Sequence, residues 1–365
     1  VKWVVRGVGA VLLLGAIAAA VAAGVGRAGV EAWLARVPVL ERFYSRVVPP
    51  PTITSVPAVS ATDPLTAEER RAFRELARQT GGRFIWSSNR GGNHDLYVID
   101  LATLDVRRLT HDPHVDYFAR FSPDGRRIVF TRSQRPWVSF RETDAWDLYV
   151  MNADGSDGRR LAVEAYHPDW TPDGSEVTFL RDNVIVGINP ATGVERQIFD
   201  GSSAPTRGEI GDPAIGPDGL VCMSLRGGEA PRGVGVLDLA GRTYRGLSGR
   251  SACHSTWLPG SRTVIWVDAN GQGGTRVMHA DAVEGTEATL IDLPGPFSHE
   301  YFPKVSADRR WLVWGAAASG HEHDRADYEM FAWRLGTGWE SAIRLTHSPS
   351  NDQWPDLYNR PPEPR

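Results

Sequence analysis

The chain has 365 residues, and 40 Lys and Arg against 44 Asp and Glu give a formal net charge of −4; that length can bury one large core or two ordinary ones. Both signs of charge are scattered and no long basic run occurs, so nothing supports a nucleic-acid partner. Thirteen Trp, 38 Gly and 25 Pro point to short aromatic-rich strands joined by tight turns, while two cysteines, Cys222 and Cys253, are too few for a disulfide scaffold or a cysteine-based zinc module.

Lys2 and Arg6 stand before an uncharged stretch from Gly7 to Gly26, about 20 residues and just enough to cross a bilayer as a helix. The Ala18–Ala23 run also supplies small residues for signal cleavage. The length of the stretch favours a membrane anchor over residues 1–27. That predicts a periplasmic domain held at a bacterial-type inner membrane, or a periplasmic or secreted one if the segment is cleaved.

Within residues 28–64, Trp33, Leu34, Val37, Leu40 and Phe43 recur at helical spacing among Arg36, Arg42 and Arg46, an amphipathic juxtamembrane pattern. Pro49–Pro51 then opens a stiff Pro-rich linker that runs to Asp63-Pro64. Over residues 65–82, Thr66 and Glu69 form a capping-box pattern ahead of Phe73, Leu76 and Ala77, and Gly81-Gly82 ends this short helix.

From residue 83 to 358 one unit recurs. Its marker is an apolar residue, a Pro-Asp-Gly turn and a β-branched strand: Phe121-Ser122-Pro123-Asp124-Gly125 before Ile128-Val129-Phe130, and Trp170-Thr171-Pro172-Asp173-Gly174 before Val177-Thr178-Phe179. Pro fixes φ at the first corner, Asp bonds its own backbone and Gly takes the positive φ that closes a hairpin. Looser copies start at Ile215, Trp257 and Val305. Their spacing of about 42 to 49 residues is that of a four-stranded propeller blade.

Third strands follow, as in Asp95-Leu96-Tyr97-Val98 and Asp147-Leu148-Tyr149-Val150, and fourth strands such as Arg107-Arg108-Leu109-Thr110. The count of third strands predicts an all-β, six-bladed β-propeller. Blade one lacks an innermost strand of its own, and Asp352-Gln353-Trp354-Pro355-Asp356-Leu357-Tyr358 repeats the pattern of Glu300–Ser306. The tail should therefore close the ring and remove an exposed edge, leaving residues 359–365 as an appendage. In this register Cys222 and Cys253 lie at opposite ends of neighbouring strands, which predicts free thiols.

The strings Arg83-Phe84-Ile85-Trp86-Ser87-Ser88-Asn89-Arg90, Asp95-Leu96-Tyr97-Val98 and Phe121–Phe130 resemble the WD40-like repeats of the TolB-like propeller family. The resemblance implies a periplasmic propeller used for protein contacts at the cell envelope. Residues 27–82 are too few and too Pro-rich for the α/β domain that family places before its propeller, so the resemblance concerns the propeller alone.

No Gly-x-Ser-x-Gly elbow, phosphate-binding glycine loop or His-Glu-x-x-His motif occurs, and no catalytic residue is assigned. Asn152–Gly158 has the look of a calcium loop but lacks its downstream Glu, so it reads as a hairpin turn.

Three features remain. Aligned on the turns, Asp116, His167, Asp212, His254, His299, Glu300, Asp352 and Gln353 open the innermost strands, where imidazoles and carboxylates at a channel mouth could bind a divalent cation or a polar ligand, or simply line a wet channel. His321, His323 and Asp324 form a ligand-dense loop in the last blade, readable as a metal site or as an exposed charged hairpin. Arg135, Trp137, Phe140 and Arg141 lie on a long insertion, Ser133–Ala145, suited either to partner contact or to folding back on the blade.

The leading expectation is a cell-envelope binding or scaffold protein with a protein partner, or a glycan, and a membrane contact through its N-terminus. The alternative is a metal-dependent propeller enzyme, lyase- or hydrolase-like, acting on a polysaccharide or peptide. A peptidase propeller is expected to carry a hydrolase domain, which the residues after Tyr358 do not supply.

Overall fold

The computed structural model describes residues 64–249, 251–318 and 322–359; the predicted anchor and most of the Pro-rich linker lie outside them. No described helix is long and apolar enough to cross a membrane.

The turns form as their chemistry dictates. Gly125 and Gly174 take φ of +68° and +69°, where a Cβ would be strained. The Ser122 and Thr171 hydroxyls each donate to the turn aspartate, Asp124 or Asp173, at 2.6 Å. The same hydroxyls accept the N–H of Arg127 and Glu176 as the next strand begins.

Hairpins built on such turns give six four-stranded antiparallel sheets among the described residues. Helix α1 (Ala67–Gln79) comes first, followed in blade 1 by β1 (Arg83–Ser88), β2 (Asp95–Asp100) and β3 (Val106–Arg108). Blade 2 has β4 (Asp116–Phe121), β5 (Arg127–Ser133), β6 (Trp146–Asn152) and β7 (Arg159–Ala162). Blade 3 has β8 (Tyr166–Trp170), β9 (Val177–Arg181), β10 (Val184–Ile188) and β11 (Glu195–Asp200). Blade 4 has β12 (Glu209–Ile215), β13 (Leu220–Arg226), β14 (Gly233–Asp238) and β15 (Thr243–Gly246). Blade 5 has β16 (Ala252–Trp257), β17 (Thr263–Asp268), β18 (Arg276–Asp281) and β19 (Glu287–Ile291). Blade 6 has β20 (His299–Val305), β21 (Trp311–Ala317), β22 (Tyr328–Arg334) and β23 (Ile343–Arg344).

The last strand, β24 (Asp352–Tyr358), returns to blade 1 and pairs with β1 from Arg83↔Tyr358 to Ser88↔Asp352. The fold is thus the six-bladed ring expected from the repeats, closed by the tail. Cys222 on β13 and Cys253 on β16 are both free thiols.

Blades adhere through apolar faces and, in blades 3 and 5, through the tryptophan before the turn. Trp170 Nε1 donates to the carbonyl of Arg120 on the preceding blade, and Trp257 Nε1 to that of Ala214. Helix α1 seals the closing blades. Its capping box forms in both directions between Thr66 and Glu69, and Phe73 and Leu76 are fully buried among Trp86, Trp311, Met330 and Leu357. Burial of side chains this size is worth about 1.5–3 kcal/mol each. Beside them Arg90 bonds Glu69 of the helix and Asp352 of β24, both at 3.1 Å, joining helix, first blade and last strand in one buried ionic knot.

Candidate functional site

In every blade the innermost strand breaks its ladder at the same place. The pairing jumps between Tyr117 and Arg120, Tyr166 and Asp169, Gly211 and Ala214, Cys253 and Thr256, and Tyr301 and Lys304. In β24 it jumps between Gln353 and Asp356. Two residues there oppose one on the partner strand, which makes a β-bulge. The first residue of each pair has positive φ: Phe118 (57°), His167 (52°), Asp212 (49°), His254 (51°), Phe302 (60°) and Trp354 (54°). None is glycine, so each bears strain of order 1 kcal/mol or more.

The strain turns all six side chains onto one central cavity. Blades 6, 1 and 2 contribute an aromatic half, in which the Trp354 ring lies 4.0 Å from both Phe118 and Phe302. Blades 3, 4 and 5 contribute a polar half. His167 Nδ1 lies 2.9 Å from Asp212 Oδ1, and Asp212 Oδ2 accepts the His254 N–H at 3.1 Å. Burial works against the Asp212 charge, yet the neighbouring His167 and His254 hold its carboxyl well below the usual range. Burial also drops His254 to about 4, against the pull of Asp212, so its imidazole is neutral at physiological pH.

Two residues further along each strand comes a second ring: Arg120, Asp169, Ala214, Thr256, Lys304 and Asp356. Lys304 Nζ reaches Asp169 Oδ2 at 2.6 Å, tying blade 6 to blade 3. The cavity between the rings is about 40 Å³.

The insertion in blade 2 and the loop in blade 6, separate features in the sequence, dock on each other as a lid. Arg141 grips Glu322, Ser139 Oγ and the Phe140 N–H both donate to Asp324, and the Tyr166 hydroxyl donates to the Phe140 carbonyl. The Phe140 ring stacks on His323 at 4.4 Å. His323 in turn lies 4.9 Å from Phe302 and 5.3 Å from His254. Its carbonyl accepts from Asn351 Nδ2 and Gln353 Nε2, so the lid closes one end of the channel. Burial, reinforced by the Glu322 charge, pushes the Asp324 carboxyl up to about 7.

Of the eight residues expected at the channel mouth, the structure brings His167, Asp212 and His254 together. Asp116, Glu300 and Asp352 stand two positions before the bulge residue and are fully buried, which removes them from the mouth. Asp116 takes two hydrogen bonds from Arg132, Glu300 accepts the Leu293 N–H and the Thr275 hydroxyl, and Asp352 binds Arg90 and Trp86 Nε1. Burial raises Glu300 to about 7. His299 begins β20, a position before Glu300, and Gln353 is buried under the lid.

His321 lies outside the described residues. His323 and Asp324, offered as metal ligands, are buried lid elements, only 5% and 1% exposed. Among the described residues no group of three or more His, Cys, Asp or Glu side chains is arranged to hold a metal ion. Of the four insertion residues singled out, only Arg135 stays well exposed, with Glu142 as its partner; Trp137, Phe140 and Arg141 fold inward. Sequence reading missed Phe118, Phe302 and Trp354, and it missed Arg120, Asp169 and Lys304. The available signal was a proline directly after the bulge residue, present as Pro168, Pro213, Pro303 and Pro355.

No family model matches the chain. Among curated proteins, the Tol-Pal system protein TolB of Francisella tularensis is 24% identical over 188 residues, covering 36% of this chain and 42% of that protein. This likeness falls on a chain already shown to be a closed six-bladed ring of Pro-Asp-Gly hairpins. The propeller is TolB-like. An uncharacterised peptidase of Bacillus subtilis, YuxL, is 30% identical over 123 residues, 33% of this chain and 17% of the relative. The TolB-like chain thus matches less than half the length of either relative. Among solved structures, Kuenenia stuttgartiensis hydrazine synthase aligns with a TM-score of 0.54 at 13% identity, covering 86% of this chain and 52% of that one. At that identity the likeness to the TolB-like ring concerns the fold alone.

Proposed function

We propose that this TolB-like propeller is a cell-envelope binding module that presents its loops and channel faces to a protein partner. The observation that carries the reading is the narrowness of the channel, capped at one end by the lid. With the lid docked, a cavity of about 40 Å³ has room for about three water-sized groups and none for a polymer, so the surfaces offered to a macromolecule are external. The kinship with TolB and the apolar stretch after Lys2 and Arg6 support an envelope location facing the periplasm. Placing a photo-crosslinking residue at Arg135, exposed on the lid, in the full-length protein in its own cells should give one discrete protein adduct. A control at Val194 on the outer rim should not. Absence of any adduct from Arg135 and the other exposed loops would remove the proposal.

A second reading, a metal-dependent enzyme acting on a glycan, would draw on the polar half of the channel, where His167 and Asp212 pair at 2.9 Å, although these side chains are not arranged as a metal cluster. It requires the lid to open. Stoichiometric metal in the purified full-length protein, lost in Asp212→Ala and His254→Ala, would support it; metal-free protein in every sample would count against it.

A further inference from the structure

Arg120 lines the channel, and the carboxylates that attract it, Asp356 and Asp169, act on it without a direct ion pair. Arg120 is 7% exposed, and among the described residues its hydrogen bonds run from Nη1 to two main-chain carbonyls, Ala119 at 2.8 Å and Pro355 at 3.3 Å. Among the described residues no carboxylate comes within ion-pair distance of it. An Arg has five N–H donors, and a buried guanidinium left partly unbonded is costly. Only Nη1 is engaged in those bonds, and Arg120 is one of the residues that line the cavity.

The other groups nearby have direct partners of their own, and Asp356, the nearest carboxylate in charge terms, faces Arg120 without bonding it. Lys304 and Asp169 neutralise each other at 2.6 Å, and Asp212 is held by His167 and the His254 N–H. Asp356 accepts the main-chain N–H groups of Phe121 and Leu357. We propose that the axial cavity is a binding site for a single carboxylate-sized anion, received by the free edge of the Arg120 guanidinium.

Size and chemistry set the ligand class. About 40 Å³ corresponds to about three water-sized groups, the heavy-atom count of a carboxylate, and a planar carboxylate matches a guanidinium edge with two parallel hydrogen bonds. Tetrahedral sulfate or phosphate is too large. Because the lid closes the far end, the anion enters from the Pro-Asp-Gly end, towards which the Arg120 ring lies. The carboxylate could be a free small acid or the acidic tip of an inserted chain. The site stands independently of the envelope reading, since its test needs only the purified protein.

Formate titrated into the full-length protein, followed by calorimetry and by quenching of tryptophan fluorescence near Trp354, should bind saturably. Sulfate at matched ionic strength should not. Arg120→Gln should weaken formate binding by about tenfold or more, the loss expected for a charge-assisted pair. Ala214→Leu, which fills the cavity from another strand and leaves Arg120 in place, should abolish binding, and it decides the matter if Arg120→Gln fails to fold. Competition by a short peptide ending in Asp, but not by its Asn-amide counterpart, would assign the carboxylate to an inserted chain; no competition would assign it to free acids. Absence of saturable formate binding, equal binding of sulfate, or full affinity in either variant would overturn the site.

Discussion

Arg141 holds Glu322 through two hydrogen bonds, 3.2 Å from Nε and 2.9 Å from Nη2, and so fastens blade 2 to blade 6 over the channel. Charge-assisted bonds of this kind contribute about 1.5–3 kcal/mol. Arg141→Ala and Glu322→Ala should each cost about that much, and the double variant should cost clearly less than both together. In Glu322→Ala, trypsin should cut after Arg141 faster than in the parent. Additive losses would mean that the two loops do not act as one lid.

The lid should also loosen as pH rises. Asp324 is raised from 3.8 to about 7, mainly by burial, so the folded state keeps a proton that the unfolded chain gives up. Its stabilising contribution is complete below about pH 4 and falls away as pH climbs to about 7. Asp324→Asn imitates the protonated form and cannot titrate. The stability gap between parent and variant, measured by denaturation from pH 4 to 8, should therefore change against the parent by at most about 4 kcal/mol. A gap independent of pH would refute this assignment.

Arg90 carries the ring closure. Replacing it by Met strands the Glu69 and Asp352 carboxylates in a buried site and should cost about 3–5 kcal/mol, with partial recovery in Arg90→Met/Asp352→Asn. Removing residues 352–359 takes away β24 and leaves β1 as an open edge. The truncated protein should lose its single sharp unfolding transition and aggregate; a cooperative, soluble product would show that the ring does not need the strand.

The bulge conformation makes its own demand. His254→Val places a β-branched residue at φ near 51°, whereas Asn tolerates that region well. The Val variant should be less stable than the Asn variant by about 1–2 kcal/mol, as read by urea denaturation. Equal stability would indicate that the bulge relaxes at little cost.

The ring was legible because each blade is written locally: Pro123-Asp124-Gly125 and Pro172-Asp173-Gly174 make their turns by the chemistry of three adjacent residues. The channel was only half legible. Alignment on the turns placed Asp116, Glu300 and Asp352 beside His167, Asp212 and His254, but positions two apart across a bulge have different surroundings, and the first three are buried against Arg132, Thr275 and Arg90. Phe118, Phe302 and Trp354 passed for core because an aromatic on an inner strand normally is core. The lid was invisible for another reason. Ser139 and Asp324 are 185 residues apart, and no local pattern announces that two loops will meet.

The six left-handed kinks separate two jobs that β-strands usually combine. On either side of each kink the ladder carries the mechanical load, while the kinked residue itself takes part in no ladder pairing and turns its side chain to the axis. Substitution there by residues that accept the left-handed conformation can redraw the polarity of the bore, blade by blade, while the strand register on either side stays the same. Divergence of such rings towards new ligands should therefore accumulate at these six places first.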